Sequence, residues 1–364
     1  MNFTQRTFTL RASSFQAEQA LRTGWIDRSR VVARSLIANS ENDSDPEILF
    51  EHLDHRPPRP RGLILGLRTV RALSLTATLT PCVSVQLLFI SRSLPFDLWR
   101  GASALAGVLC LQVAVNLFND VGDYRRLIDL PGTLGGSGAI QNGWWSPRAL
   151  NRIAWISFLI AAALGGPLIL GSDHALLPVA ALGALGTILY SARRFGLKYI
   201  AMGDVTVFAL CGPLLTYGYA IAIGNRSPKG VLWLGTLFGL LAMGILHVNN
   251  LQDIQIDRQR GIETLAIRLG FRNSLRLLAA LYAASTFTLA AAVSTKALPP
   301  EVLLAIVPIA ASALPWLRKI FTALGPESAL LAECRVKAAQ IHLASGLALI
   351  LGLAFGIGLA KLTA

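Results

Sequence analysis

The sequence predicts an all-α membrane protein, a polytopic bundle of nine transmembrane helices behind a polar N-terminal tail. The first support is composition: mean hydropathy is +0.54, 53% of the 364 residues are hydrophobic and only 15% are charged. A soluble chain carries about a quarter charged residues. The second is a series of nine apolar runs, each roughly the 18–25 residues that cross hydrocarbon as a helix. The third is that the acids and arginines gather at the ends of these runs rather than inside them.

Residues 1–64 differ from the rest. Met1 to Ser40 is rich in Arg and Ser, Glu41 to Asp54 turns acidic, and Arg56-Pro57-Pro58-Arg59-Pro60-Arg61 reads as an extended linker. No apolar stretch of signal-peptide length follows Met1. This segment is expected to be a poorly ordered surface tail with a short helix around Phe15 to Ser35. The transmembrane domain is expected over 65–364.

The runs lie near 73–93, 99–123, 150–170, 174–192, 201–223, 231–254, 273–293, 301–323 and 338–360. Gly171-Ser172-Asp173 joins the third to the fourth, which implies a tight antiparallel hairpin. Pro81, Pro167, Pro178, Pro213, Pro308 and Pro315 fall inside runs, where neighbouring helices can support the kinks. Gly235 and Gly239 form a GxxxG pair that favours close helix approach. The four cysteines, Cys82, Cys110, Cys211 and Cys334, are scattered and read as small apolar residues.

Charge sets the expected orientation. Arg125, Arg126, Arg148, Arg152, Arg193, Arg194, Lys198, Arg258, Arg260, Arg268, Arg272, Arg276, Arg318, Lys319, Arg335 and Lys337 all fall on one side, with the Arg-rich tail. By the positive-inside rule that side is cytoplasmic. The net charge of +13 therefore fits an anionic leaflet rather than a nucleic acid. The expected location is the cell's inner membrane, with multiple passes and the N-terminus cytoplasmic.

Two of the cytoplasmic helix ends carry chemistry. Asn116, Asp120 and Asp123 stand at i, i+4 and i+7, so they share one helix face. Asn249, Asp253 and Asp257 stand at i, i+4 and i+8 and share another. Each set ends an apolar run, and each is followed by two arginines: Arg125 and Arg126, then Arg258 and Arg260. Stacked carboxylates need a cation, and all-oxygen ligands suit Mg²⁺. The arginines can hold anionic oxygens. A Mg²⁺-diphosphate shared by both ends is the natural ligand. The plain alternative is that each carboxylate pairs with its neighbouring arginines. His247 reads as a helix-packing or hydrogen-bonding residue.

These motifs resemble those of the UbiA superfamily of intramembrane aromatic prenyltransferases. Asn116-x-x-x-Asp120-x-x-Asp123 stands where that family has its first Asp-rich motif, and Asp253-x-x-x-Asp257 stands at the second. The branch acting on 1,4-dihydroxy-2-naphthoate is most similar, through Asn119-Asp120-x-x-Asp123, Gly135-Gly136-Ser137-Gly138, Lys198-Tyr199-x-x-Met202-Gly203-Asp204, Asn249-Asn250-x-x-Asp253 and Gly261-x-x-Thr264-Leu265-Ala266-x-Arg268-Leu269-Gly270. The likeness covers about 65–360. The family often has a lysine after the glycine of the second motif, where this chain has Ile262 and Glu263. Leu127 stands where a glycine is common.

The resemblance implies Mg²⁺-dependent transfer of a polyprenyl group from polyprenyl diphosphate to an aromatic acid. Asp120, Asp123, Asp253 and Asp257 would be the metal-binding and catalytic residues. Asn116 and Asn249 would assist them. Lys198, Arg193, Arg194, Arg258 and Arg260 would hold the diphosphate. Tyr190 is a candidate site residue, and Arg68 or Arg71 would meet the acceptor carboxylate. Asp129 and the glycines of 132–138 are candidates for a ligand and a lid. Phe118, Phe208, Trp233 and Phe238 are candidate walls for the isoprenoid. The expected acceptor is 1,4-dihydroxy-2-naphthoate, on the way to menaquinone; 4-hydroxybenzoate or another phenolic acid is the alternative. A secondary transporter is the alternative from another class, since transporters also repeat intramembrane carboxylates. The sequence leaves the oligomeric state open.

Overall fold

A computed structural model of the chain describes residues 7–37, 45–53, 59–130, 136–172, 174–192 and 195–363. The chain divides into two units, Met1–Ala72 with Val113–Leu159, and Leu73–Gln112 with Ile160–Ala364. This differs from a division at residue 64.

The first unit corrects the expected tail. Strands β1 (Thr7–Arg11), β2 (Trp25–Ile26), β3 (Ser29–Ile37) and β4 (Glu47–His52) form an antiparallel sheet in the order β1-β4-β3-β2. Helix α1 spans Phe15–Thr23, with the Ser14 side chain capping Ala17 N–H and Gly24 closing it in the left-handed region. The expected helix thus stops at Thr23, and β2 and β3 take up the rest of its range. The physical reason for order is a core. Val31, Val32, Ala33, Ile48 and Phe50 are buried with Ala17, Ala20 and Leu21 of the helix. Each fully buried large apolar side chain contributes about 1.5–3 kcal/mol. The same core includes Leu117, Val121, Tyr124, Leu150 and Ala154. Those residues lie on α4 (Leu98–Arg125) and α5 (Pro147–Leu170), whose motif-side ends belong to this unit. The short helix α2 (Gly62–Thr69) precedes the first span.

Eight helices among the described residues are long and apolar enough to cross a membrane. They run Ala72–Ser91, Leu98–Arg125, Pro147–Leu170, Gly203–Gly224, Val231–Gln252, Leu265–Ser294, Pro300–Ile320 and Ala329–Leu362. The chain is therefore a multi-pass membrane protein. The fourth expected span is present as a shorter apolar helix, α6, Leu176–Leu189. So the count of nine is not reached by length.

The second unit has α9 (Val231–Gln252) at its centre, packed against α7 (Gly203–Cys211), α8 (Pro213–Gly224), α11 (Leu265–Ser294) and α14 (Cys334–Thr363). Helix α3 (Thr76–Ser91) packs on α8, α9 and α14. The expected GxxxG pair receives the α7–α8 elbow. A Cβ on Gly235 would lie 2.4 Å from Thr216 Oγ1, and one on Gly239 would lie 2.7 Å from Phe208 O. A short helix α10 (Ile254–Gln259) follows α9. Helix α11 breaks at Gly270, φ 73°, so its first turn and a half is separate from the apolar run that begins near residue 273. The segment Pro300–Ile320 is broken into 3₁₀, α12 (Ile306–Pro308), π and α13 (Leu314–Ile320) pieces around Pro308 and Pro315. All four cysteines are free.

Gly235→Ala and Gly239→Ala should each overpack the elbow and cost about 1–3 kcal/mol. The check is a lowered unfolding temperature of the purified chain in detergent. Gly183→Ala, where a Cβ meets nothing within 4 Å, serves as the neutral control.

Candidate active site

The candidate residues fall into two halves, one in each unit. The first is built on the end of α4. Asp120, Asp123, Asn116 and Asn119 are all buried there. Asp120 Oδ1 is 3.5 Å from Arg71 Nη1, and its Oδ2 accepts the Ser137 backbone N–H at 3.1 Å. Asp123 Oδ2 accepts from Asn119 Nδ2 at 2.9 Å. Asn116 Nδ2 donates to Val70 O at 3.1 Å, tying down the turn that aims Arg71. Arg71 itself has φ 58°, the left-handed conformation that points it off the end of α2. Arg68 is exposed on that helix. Of the two arginines considered for the acceptor, the structure brings Arg71, not Arg68, to the acids. The cation on Asp120 comes from another element rather than from the arginines that follow it.

Gly136 passes closest to these carboxylates. A Cβ built on it would lie 2.7 Å from Asp129 Oδ2 and 3.1 Å from Asp120 Oδ1. Its φ is +63°. Two carboxylate oxygens thus converge on one point beside a backbone that must be glycine. Residues 132–135 of the expected lid lie outside the described residues.

The second half is built where α9 ends. The helix does not run through to Asp257. It stops at Gln252, Asp253 caps it at φ −95° and ψ 6°, and α10 restarts at Ile254. The hydrogen bonds from Asp253 N to Asn249 O and from Asp257 N to Asp253 O, 3.1 and 2.8 Å, keep the three residues a turn apart across the bend. Asp257 is buried and Asp253 partly so. Asp253 Oδ2 pairs with Arg335 Nη2 at the start of α14, and Arg335 Nε donates to Gln252 Oε1 at 2.6 Å. Again the counter-charge comes from a remote element. Arg258 is exposed. Arg260 is half-buried, its Nε has no hydrogen-bond partner among the described residues, and burial lowers its pKa. Asn249 Oδ1 is buried without a partner among the described residues. A carbonyl oxygen of this kind can accept from a water or meet a cation.

Lys198 joins this half through the backbone. Ile200 and Glu263 form an isolated parallel bridge, with Ala201 N–H to Glu263 O at 2.6 Å and Glu263 N–H to Tyr199 O at 3.2 Å. The Lys198 loop is thereby fastened to the segment that follows Asp257. Lys198 Nζ lies 5.8 Å from the Tyr199 ring centroid. Tyr190 is buried at the end of α6, and its carbonyl accepts Lys198 N–H at 3.0 Å. Glu263 pairs with Arg268. Arg193 and Arg194 lie outside the described residues.

Beneath these residues is a buried polar triad that the sequence did not single out. Asp204 Oδ1 meets His247 Nδ1 at 2.9 Å, and its Oδ2 accepts from Asn250 Nδ2 at 3.0 Å. His247 Nε2 lies 3.1 Å from Ser274 O. Both ring nitrogens face acceptors, and the ring bridges α7, α9 and α11. Its expected hydrogen-bonding role holds, and its partners are what the sequence hid. Among the candidate isoprenoid walls, Phe238 is fully buried, Trp233 packs on the core, Phe208 seats against Gly239 and Phe118 packs edge-on to Trp155.

The donor set at both ends is oxygen throughout, which fits Mg²⁺ and not a thiolate- or imidazole-seeking metal. Among the described residues no three His, Cys, Asp or Glu side chains form a ready-made cage. Mg²⁺ does not need one, since it keeps several waters and takes one or two carboxylates.

Paired acids at the ends of spanning helices, each met by an arginine from elsewhere, define a multi-pass membrane protein equipped for an anionic, metal-bound ligand. A family model described as the UbiA prenyltransferase family matches residues 78–329. The chain therefore belongs to the UbiA prenyltransferase family, and it is a prenyl-transferring enzyme. UbiA prenyltransferase domain-containing protein 1 of Dictyostelium discoideum is 29% identical over 235 residues, 62% of this chain and 70% of that protein. The 1,4-dihydroxy-2-naphthoate octaprenyltransferase of Escherichia coli is 30% identical over 201 residues, 54% of this chain and 65% of that protein. The fold is that of a UbiA homolog from Archaeoglobus fulgidus bound to DMAPP and Mg²⁺, with TM-score 0.54 and 16% identity, covering 78% of this chain and 98% of that one. The transporter alternative gives way to this membership.

Gly136→Ala should push the backbone off the Asp120–Asp129 pair and lower prenyl transfer at least about tenfold, or 1.4 kcal/mol. Asp204→Ala should strand His247 and Asn250 at a cost of about 1–3 kcal/mol. Thermal unfolding of the purified chain checks the second, with Asp204→Asn milder because it keeps an acceptor for His247.

Proposed function

We propose that the chain transfers a polyprenyl group from polyprenyl diphosphate to 1,4-dihydroxy-2-naphthoate, in the direction of menaquinone. The observation that carries this reading is the repeated arrangement of a helix-end acid answered by a remote arginine, Asp120 with Arg71 and Asp253 with Arg335. The relatives named 1,4-dihydroxy-2-naphthoate octaprenyltransferase in Escherichia coli and Bacillus subtilis support the choice of acceptor. The homolog bound to DMAPP and Mg²⁺ supports the metal.

In this reading each acidic helix end serves a Mg²⁺-diphosphate. Asp120, Asp123, Asp253 and Asp257 would hold Mg²⁺, with Asn249 Oδ1 accepting from its water or coordinating it directly. The metal supplies stabilisation of the negative charge that grows on the leaving diphosphate as the allylic C–O bond breaks. Lys198 and Arg260 hold the remaining diphosphate oxygens through charge-assisted hydrogen bonds. Arg71 is the candidate for the acceptor carboxylate. Apolar surroundings exclude water from the allylic cation, so it alkylates the ring rather than being hydrolysed, and the substituted ring carbon then loses a proton or CO₂ to restore aromaticity. The active-site mouth faces the cytoplasm, where diphosphate and Mg²⁺ are dissolved, and the membrane is the inner one.

The test uses purified chain, labelled polyprenyl diphosphate, Mg²⁺ and two acceptors. Prenylated 1,4-dihydroxy-2-naphthoate should form, chelation with EDTA should abolish it, and Asp120→Asn or Asp253→Asn should lower kcat by roughly 10²–10³. Product from 4-hydroxybenzoate alone would replace the acceptor. Turnover that survives EDTA and both substitutions would end the proposal.

A further inference from the structure

The N-terminal sheet is the part of the molecule that the reaction leaves unused. Its strand β3 holds both segments that frame Asp120. Toward α4, the Ala33 N–H donates to Tyr124 Oη at 2.9 Å. Tyr124 is fully buried and follows Asp123 directly. Toward the returning segment, Arg34 Nη1 donates to Gln141 O at 3.1 Å, and Arg30 Nη2 donates to Gly143 O at 2.8 Å. Gln141 Nε2 in turn donates to Asp129 O at 2.9 Å. That segment supplies Gly136 and the Ser137 N–H to the carboxylates.

The register of β3 explains how one strand reaches both. Pairing with β4 slips between Ala33 and Ser35, leaving Arg34 as the extra residue of a bulge. A bulge re-aims side chains and interrupts the ladder. Here Ala33 N–H goes to Tyr124 instead, while Glu51 of β4 grips Arg34 Nε and orients its free edge toward Gln141. Arg34 has a fixed planar fork, so gripping one edge fixes the other.

We propose that the N-terminal β-domain is a positioning brace for the first acidic motif, with Arg34 and Tyr124 as positioning residues that fix the spacing between α4 and the 136–143 segment. It rests on the reading that Asp120 serves a Mg²⁺-diphosphate. Outer partners of metal-binding groups typically set metal affinity by about 10–100-fold.

The experiment takes the full chain in detergent with Mn²⁺ and inorganic pyrophosphate as probes. Bound Mn²⁺ is counted by electron paramagnetic resonance. Hydrogen exchange of residues 136–143 is followed on the same samples. Arg34→Met keeps the stem and removes the fork, Tyr124→Phe removes one oxygen, and Glu51→Gln keeps an acceptor for Arg34. The first two should raise the half-saturating Mn²⁺ concentration about tenfold and speed exchange over 136–143. Arg34→Lys should recover part of the affinity, and Glu51→Gln should stay near the parent. If Arg34→Met and Tyr124→Phe lower only the unfolding temperature and leave Mn²⁺ binding and exchange unchanged, the domain is packing and the brace is wrong. Should Arg34→Met fail to fold, the single-oxygen Tyr124→Phe decides alone. Mn²⁺ binding that is indifferent to Asp120→Asn would instead strike at the metal reading itself.

Discussion

A carboxylate at the end of a membrane-spanning helix has to be compensated, and this requirement organises the molecule. Little water is available to solvate it, and an uncompensated buried charge costs several kcal/mol. Asp120 is met by Arg71 and by the Ser137 N–H. Asp253 is met by Arg335, and Asp204 by His247 and Asn250. In each case the partner comes from another helix or loop. Compensation therefore does structural as well as electrostatic service. It fastens the turn after α2 to α4, α14 to α9, and α7 to both α9 and α11.

The compensation is also incomplete in a way that matters for chemistry. Among the described residues, Asn249 Oδ1 and Arg260 Nε are buried with no hydrogen-bond partner. A site whose every acceptor and donor was satisfied internally would have nothing to offer a ligand. An oxygen acceptor and a cationic donor on the segment that carries Asp253 and Asp257 match what a hydrated Mg²⁺ and a diphosphate oxygen each require. In the first half, Gly136 lets the backbone approach two carboxylates more closely than a side chain would allow.

What the sequence disclosed follows from the range of the forces involved. The spans were readable because burial in hydrocarbon is a property of a continuous run, and Val231 to Gln252 carries its own evidence. The acids were readable because i, i+4 spacing is local. The bend at Asp253 was not, since nothing nearby marks it and the backbone hydrogen bonds almost carry the helix through. Arg335 lies 82 residues from Asp253, and one cation among many at helix starts has no signature. The N-terminal sheet was missed because its strands are short and half-polar, and its core is completed by Leu117, Tyr124 and Leu150 from elsewhere. A signal was present: Thr7-Phe8-Thr9-Leu10-Arg11 alternates polar and apolar residues, which is the period of a half-covered strand.

The account proposes that both acidic helix ends hold a metal-bound diphosphate. The most direct measurement is anomalous X-ray diffraction from crystals of the chain grown with Mn²⁺ and pyrophosphate. The account predicts manganese peaks within coordination distance of Asp120 or Asp123 and of Asp253 or Asp257, with pyrophosphate beside the metal. Manganese at one motif alone, or pyrophosphate bound away from both, would contradict it.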